Sequence, residues 1–257
     1  MLFRSPTEPE ALLGAGEIAL RRGDVVGARA YFRQLLATAR DPAGAALQVS
    51  AVWRAALRHD DSLATLDEAL RAEADDPRLH FGRGMILAAQ GRHDAAIAAF
   101  AAVPASAGAL QTAALAGIAD ALSLLGKHEE AQSTIRRALD AVDPADETAR
   151  AVFAVVPAIF RRAGHPEVAV ELLTSLAHAG RDSALTVAVA EALQDLGRHD
   201  QAQALLAAEL VQAPGDTGLV FALAIARERA EDVDGAVGLM QALLRGDPDN
   251  ASALNFV

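Results

Sequence analysis

The sequence predicts an all-α solenoid of about seven helix-turn-helix repeats, and three observations predict it. The first is composition. Of 257 residues 52% are hydrophobic, and aromatic residues make up 4%, with a single Trp (Trp53) and a single Tyr (Tyr31). Alanine dominates, which suits thin, closely packed helices, whereas strands favour the β-branched and aromatic residues that are sparse here. The second is a recurring phrase. Gly91-Arg92-His93-Asp94-Ala95-Ala96 returns as Gly126-Lys127-His128-Glu129-Glu130-Ala131 and as Gly197-Arg198-His199-Asp200-Gln201-Ala202, with weaker copies from Gly23, Arg58, Gly164 and Asp232. The third is spacing. The small residues that close the phrase are Ala28, Ser62, Ala96, Ala131, Ala169, Ala202 and Ala236, separated by 34, 34, 35, 38, 33 and 34 positions.

Each column of this repeat has a physical reason. Glycines 23, 91, 126, 164 and 197 fall where a first helix ends and a left-handed residue closes the turn. Acids follow at Asp60, Asp94, Glu129, Asp200 and Asp234, where capping and the partial positive charge of a helix N-terminus favour them. The small residue one turn later lets the paired helices touch. Four positions on, the same face carries Phe32, Leu66, Phe100, Ile135, Leu173, Leu206 and Met240. A second small column, in the first helices, contains Gly16, Ser50, Gly84, Ala119, Ala190 and Ala224.

These residues and spacings resemble the tetratricopeptide repeat family over residues 9–250. The resemblance implies a right-handed superhelical solenoid whose first helices face a concave, partner-binding side. Other helical-hairpin solenoids have longer periods. The chain departs from the family where an early aromatic is usual, with Leu12, Ala46, His80, Leu115, Phe153, Thr186 and Val220 in its place, and at Glu209, where a small or apolar residue is usual.

Irregularities fall at definite places. The 38-residue step adds about one turn around residues 143–148, and Pro157 in the following helix removes a backbone donor and favours a kink. Residues 1–8 read as a non-native or disordered segment. Asp247-Pro248-Asp249-Asn250 opens an eighth repeat, and residues 251–257 read as its truncated first helix, so the chain is expected to be a fragment of a longer bacterial protein that self-associates through an uncapped C-terminal end.

Charge and motif content exclude several functions. A net charge of −11 argues against a nucleic-acid partner, because phosphate binding needs a concentrated basic stripe. The Arg21-Arg22, Arg136-Arg137 and Arg161-Arg162 pairs sit on separate segments with acids nearby. The absence of cysteine removes disulfides and thiolate chemistry. The longest apolar run, Ala151 to Phe160, is shorter than the roughly 20 residues of a membrane span. His59, His93, His128 and His199 share one repeat column, and copies held about 8–10 Å apart by helix packing do not converge three on one metal. His80 and His178 stand outside that column and lack a ligand spacing. Gly82-Arg83-Gly84 and Gly14-Ala15-Gly16 follow no strand and complete no nucleotide fingerprint. The reading is of a protein that is not an enzyme and needs no cofactor or metal.

What the resemblance implies for function is partner binding. Its arrangement of first helices places Leu47, Phe81, Met85, Val187, Phe221 and Ile225 on the inner face, with Arg54, Asp120, Arg161, Glu191 and Glu228 among them. A lysine and asparagine clamp for a C-terminal carboxylate is not supported, since Lys127 is the only lysine and lies in a turn. The expected partner is an apolar or amphipathic segment of a protein, held in a groove with a mixed-charge rim, in assembly of a bacterial complex in cytoplasm or periplasm. The alternative is the interaction domain of a larger fused transferase, kinase or transcriptional regulator.

Overall fold

The computed structural model describes residues 9–143, 149–177 and 183–256, and among them every regular element is helical. The chain divides into two compact units, one up to Ala121 and one from Leu122. In the first, α1 (Pro9–Arg21) packs on α2 (Val25–Thr38), α3 (Pro42–Ala55) on α4 (His59–Ala72), and α5 (Pro77–Ala89) on α6 (His93–Ala101). A short 3-10 turn, Ala105–Ala107, leads into α7 (Ala109–Leu124), which runs across the division. In the second unit α8 (His128–Ala141) packs on α9 (Ala149–Arg162), α9 on α10 (Pro166–Ala177), α11 (Ser183–Asp195) on α12 (His199–Gln212), and α13 (Thr217–Arg229) on α14 (Val233–Gly246). The last helix, α15 (Ala251–Phe256), lies on α14. The architecture is an all-α solenoid of seven to eight helix-turn-helix repeats.

The repeat columns form the core. Every member of the closing small column, from Ala28 to Ala236, is fully buried, and the large residues four positions later, Phe32 to Met240, are at most 2% exposed. Ser62 takes part with its hydroxyl, which donates to the Ser50 carbonyl at 2.8 Å, so the one polar member of that column is satisfied inside the core. The fit is tight at Gly84, where a Cβ would stand 2.6 Å from the ring of Phe100. The large apolar side chain of a second helix thus fills the space that a small residue leaves on its first helix.

The turns repeat as closely. In each, a backbone N–H reaches back five residues: Arg92 to the Leu87 carbonyl and Arg198 to the Leu193 carbonyl, both at 2.9 Å, closing the helix with a left-handed residue between. The five predicted glycines take φ between 70° and 81°. In the two copies that lack glycine, Leu57 (φ 58°) and Glu231 (φ 66°) adopt the same conformation.

One expectation is corrected. Asp60, Asp94, Glu129 and Asp200 do not cap their helices. The N-cap positions are Arg58, Arg92, Lys127 and Arg198, none with a side-chain cap bond, and the acids sit inside the first turn, where the helix dipole favours them. True caps occur at Asp24 and Asp232, which accept from Gly27 and Gly235 N–H, and at the starts of first helices, where Asp41, Asp76 and Asp216 accept from Gly44, Arg78 and Leu219 N–H. In addition, α6 is only nine residues long where α4 and α8 have fourteen. Pro104 follows its end, and Gly108 turns the chain with φ 58° and ψ −124°.

Helix α9 continues through the buried Pro157 to Arg162 without interruption. The segment 144–148, where the longer step falls, lies outside the described residues, as do residues 1–8, Val257 and His178. At the other end, Leu239, Leu243, Leu244 and Phe256 are partly buried around Met240 and Ala253.

Candidate partner-binding face

The inner-face residues predicted from the repeat fall on first helices in both units, and each unit brings its own set together. In the first unit Leu47 of α3 is half-buried and reaches across to α5, its Cδ2 2.8 Å from where a Cβ of Gly82 would stand. Phe81 of α5 is also half-buried, its ring tilted against Phe100 at 5.6 Å between centroids. Met85, one turn further, is 43% exposed. Arg54 is exposed on α3. Beside these, an open cleft of about 560 Å³ between α1 and α3 is lined by Glu17, Leu20, Val52 and Ala55. Leu20 is the counterpart of Arg54 one repeat earlier, 34 positions before it, and the sequence reading missed it by starting its inner columns at the second repeat.

In the second unit Val187, Glu191 and Asp195 follow one another at one-turn intervals along α11. Arginines from both neighbouring first helices close on this stripe. Arg161 of α9 donates to both carboxylate oxygens of Asp195 at 2.9 and 3.0 Å, and Arg229 of α13 donates to Gln194 at 3.0 Å. Asp195 is 8% exposed, so removing Arg161 would leave a desolvated carboxylate without its cation. Glu191 accepts no hydrogen bond and forms no ion pair among the described residues. Burial raises its proton affinity, the neighbouring Asp195 adds to that, and Arg161 and Arg229 oppose it. Phe221 is partly buried against the cluster around Met240, while Ile225, one turn on, is 39% exposed.

An open cleft of about 250 Å³ lies over this stripe. Its lining comes from α9 (Arg150, Ala154), α11 (Ser183, Ala184, Val187, Ala188, Glu191) and the start of α13 (Asp216, Gly218). Two of the predicted residues, Val187 and Glu191, therefore share one cavity. Arg150 and Asp216 were not anticipated, because their convergence depends on how three helices stack rather than on any one column.

The histidine column occupies the first position of α4, α6, α8 and α12, and its four Nδ1 atoms are buried without a hydrogen-bond partner. His80 instead donates from Nε2 to the Ala74 carbonyl at 2.7 Å. Among the described residues no group of three His, Cys, Asp or Glu is placed to hold a metal, and no helix is long and apolar enough to cross a membrane.

With this geometry in place, the family can be settled from sequence profiles. Those of the tetratricopeptide repeat match residues 2–45, 54–110 and 187–251, and a second such profile matches 112–141. The chain belongs to the tetratricopeptide repeat family. The unmatched interval between 141 and 187 holds the longer step and Pro157, so the least typical tetratricopeptide repeat is also the one whose spacing departs most. Curated proteins include none that matches the sequence. Solved structures share the fold. A tetratricopeptide repeat protein from Parabacteroides merdae aligns with a TM-score of 0.59 at 13% identity, covering 98% of each chain. Yeast Tom70 aligns at 0.57 and 15% identity, covering 96% of this chain and 52% of its own. PilW, a type IV pilus biogenesis factor, aligns at 0.55 and 15% identity, covering 82% of this chain and 96% of its own. The chain thus spans about half the length of Tom70 and nearly all of the Parabacteroides protein. Tetratricopeptide repeats are protein–protein interaction modules, and this chain carries no catalytic motif.

Proposed function

We propose that the chain binds an apolar or amphipathic segment of a partner protein along the inner columns of its first helices, serving as a scaffold in the assembly of a bacterial multiprotein complex. The observation that carries this reading is the pair Met85 and Ile225. They occupy the same repeat position, one in each unit, and both keep about two-fifths of their surface exposed, although the equivalent of either could have been alanine as at Ala51. Solenoids build their binding surfaces from equivalent positions of successive repeats, and flexible or branched apolar side chains suit an adaptable contact with a helix or extended peptide. Phe81 and Phe221 stand one turn before them and lean into the core, so they shape the floor of the face rather than its free edge.

The test is a double substitution, Met85→Ala with Ile225→Ala, followed by capture of partner and by thermal unfolding. Capture should fall by about tenfold while the melt changes little, because neither side chain is fully buried. An unchanged capture would sink the reading. Substituting Phe81 and Phe221 instead is a poorer test, since a lower melting point would follow from their core contacts alone.

A further inference from the structure

Resting on that reading, we propose that the cleft over α11 takes a cationic side chain, an arginine or lysine, of the bound partner segment, with its head between Glu191 and Asp216 and its stem along Val187, Ala154 and Ala188. Three observations lead there. The walls are apolar and the two acids converge on the cavity from different helices, Glu191 from the middle of α11 and Asp216 from the start of α13. Long basic side chains use such a site well, because the aliphatic stem covers apolar surface while the charged head reaches an acid.

The second observation is that Glu191 is half-buried yet accepts no hydrogen bond among the described residues. The two arginines near it are engaged elsewhere, Arg161 on Asp195 and Arg229 on Gln194. A desolvated carboxylate without a donor is costly, and an incoming guanidinium or ammonium relieves that cost with a charge-assisted hydrogen bond. The raised proton affinity of Glu191, owed first to burial and then to Asp195, agrees with a desolvated carboxylate that accepts no hydrogen bond. Third, the cation that the cleft does own, Arg150, is exposed on α9 and makes no ion pair with Glu191. The net balance of the lining is acidic, which argues against a carboxylate or phosphate as occupant.

The probe is a pair of synthetic amphipathic peptides with a leucine face, identical except that one carries arginine and the other citrulline, scanned through the positions beside that face. Citrulline keeps the shape of arginine and removes its charge. Binding is followed by calorimetry and by amide shifts of Val187 and Ala188 in the whole chain. The arginine peptide should bind roughly ten- to hundredfold tighter than its citrulline twin at its best position, the advantage should shrink with added salt, and Glu191→Gln should erase it. Equal affinity of both peptides would overturn the cationic site and leave the apolar face standing. Binding by neither would overturn both. An arginine advantage that survives both Glu191→Gln and Asp216→Asn unchanged would place the cation elsewhere and overturn this site.

Discussion

The ring of Phe100 closes on the backbone of Gly84, so that a Cβ there would stand 2.6 Å from both Cδ1 and Cε1 of the ring. The first repeat copies the relation, with Gly16 and the ring of Phe32 closer still. In these two repeats contact between the paired helices therefore depends on a missing methyl group. Gly84→Ala should destabilise the chain by about 1–3 kcal/mol, and so should Ala96→Leu, which enlarges the fully buried small residue on the facing helix. Chemical unfolding measures both. Because a solenoid is held by nearest-neighbour contacts, hydrogen exchange should rise first in α5 and α6 and only later in remote repeats. Uniform loss of protection along the chain would contradict the repeat account.

The left-handed turns make a prediction in the opposite direction. Leu57 and Glu231 hold positive φ where five other repeats use glycine, and Leu57 is 80% exposed, so its side chain returns little packing for the strain. Leu57→Gly should raise stability by about 1 kcal/mol, the strain relieved less the extra entropy of an unfolded glycine. A lower melting temperature would show that Leu57 contributes contacts the turn geometry does not reveal.

Acid and base pull the two units differently. Glu191 binds its proton more firmly in the folded chain than the ordinary value of 4.5, owing to burial and then to Asp195. Its favourable contribution is fully present below 4.5 and is lost as pH rises through the folded value, so Glu191→Gln should stabilise at neutral pH and lose that advantage in acid. Asp41 behaves oppositely. Hydrogen bonds from Arg78 and then from Gly44 N–H hold it below 3.8, so its contribution is present above 3.8 and lost as pH falls through the lowered value. Arg78→Ala should therefore weaken the first unit at neutral pH and make little difference in strong acid. Unfolding midpoints across pH check both signs.

The columns were legible in the sequence because burial and repeat period fix them together: a small residue every 34 or so positions and a large one four later leave one way to pair the helices. The early end of α6 was less visible, since Ala101 and Ala102 keep the helical pattern and only Pro104 and Gly108 betray the stop. Arg58, Arg92, Lys127 and Arg198 at N-cap positions ran against propensity, and the closing of each preceding turn, rather than a side-chain cap, fixes where those helices begin. The candidate face was legible as far as Val187, Glu191 and Arg161. The link from Arg161 to Asp195, and the entry of Arg150 and Asp216 into the same cleft, depend on the stacking of α9, α11 and α13, which no single column encodes.

Site-directed photo-cross-linking tests the central claim most directly. A photoreactive residue is placed in turn at Met85 and Ile225 on first helices, and at Tyr31 and Val211, which are exposed on second helices. The account predicts cross-links to discrete partner segments from Met85 and from Ile225, and none from Tyr31 or Val211. Cross-links to such segments from Tyr31 and Val211 alone would place the binding face on the second helices and contradict the account.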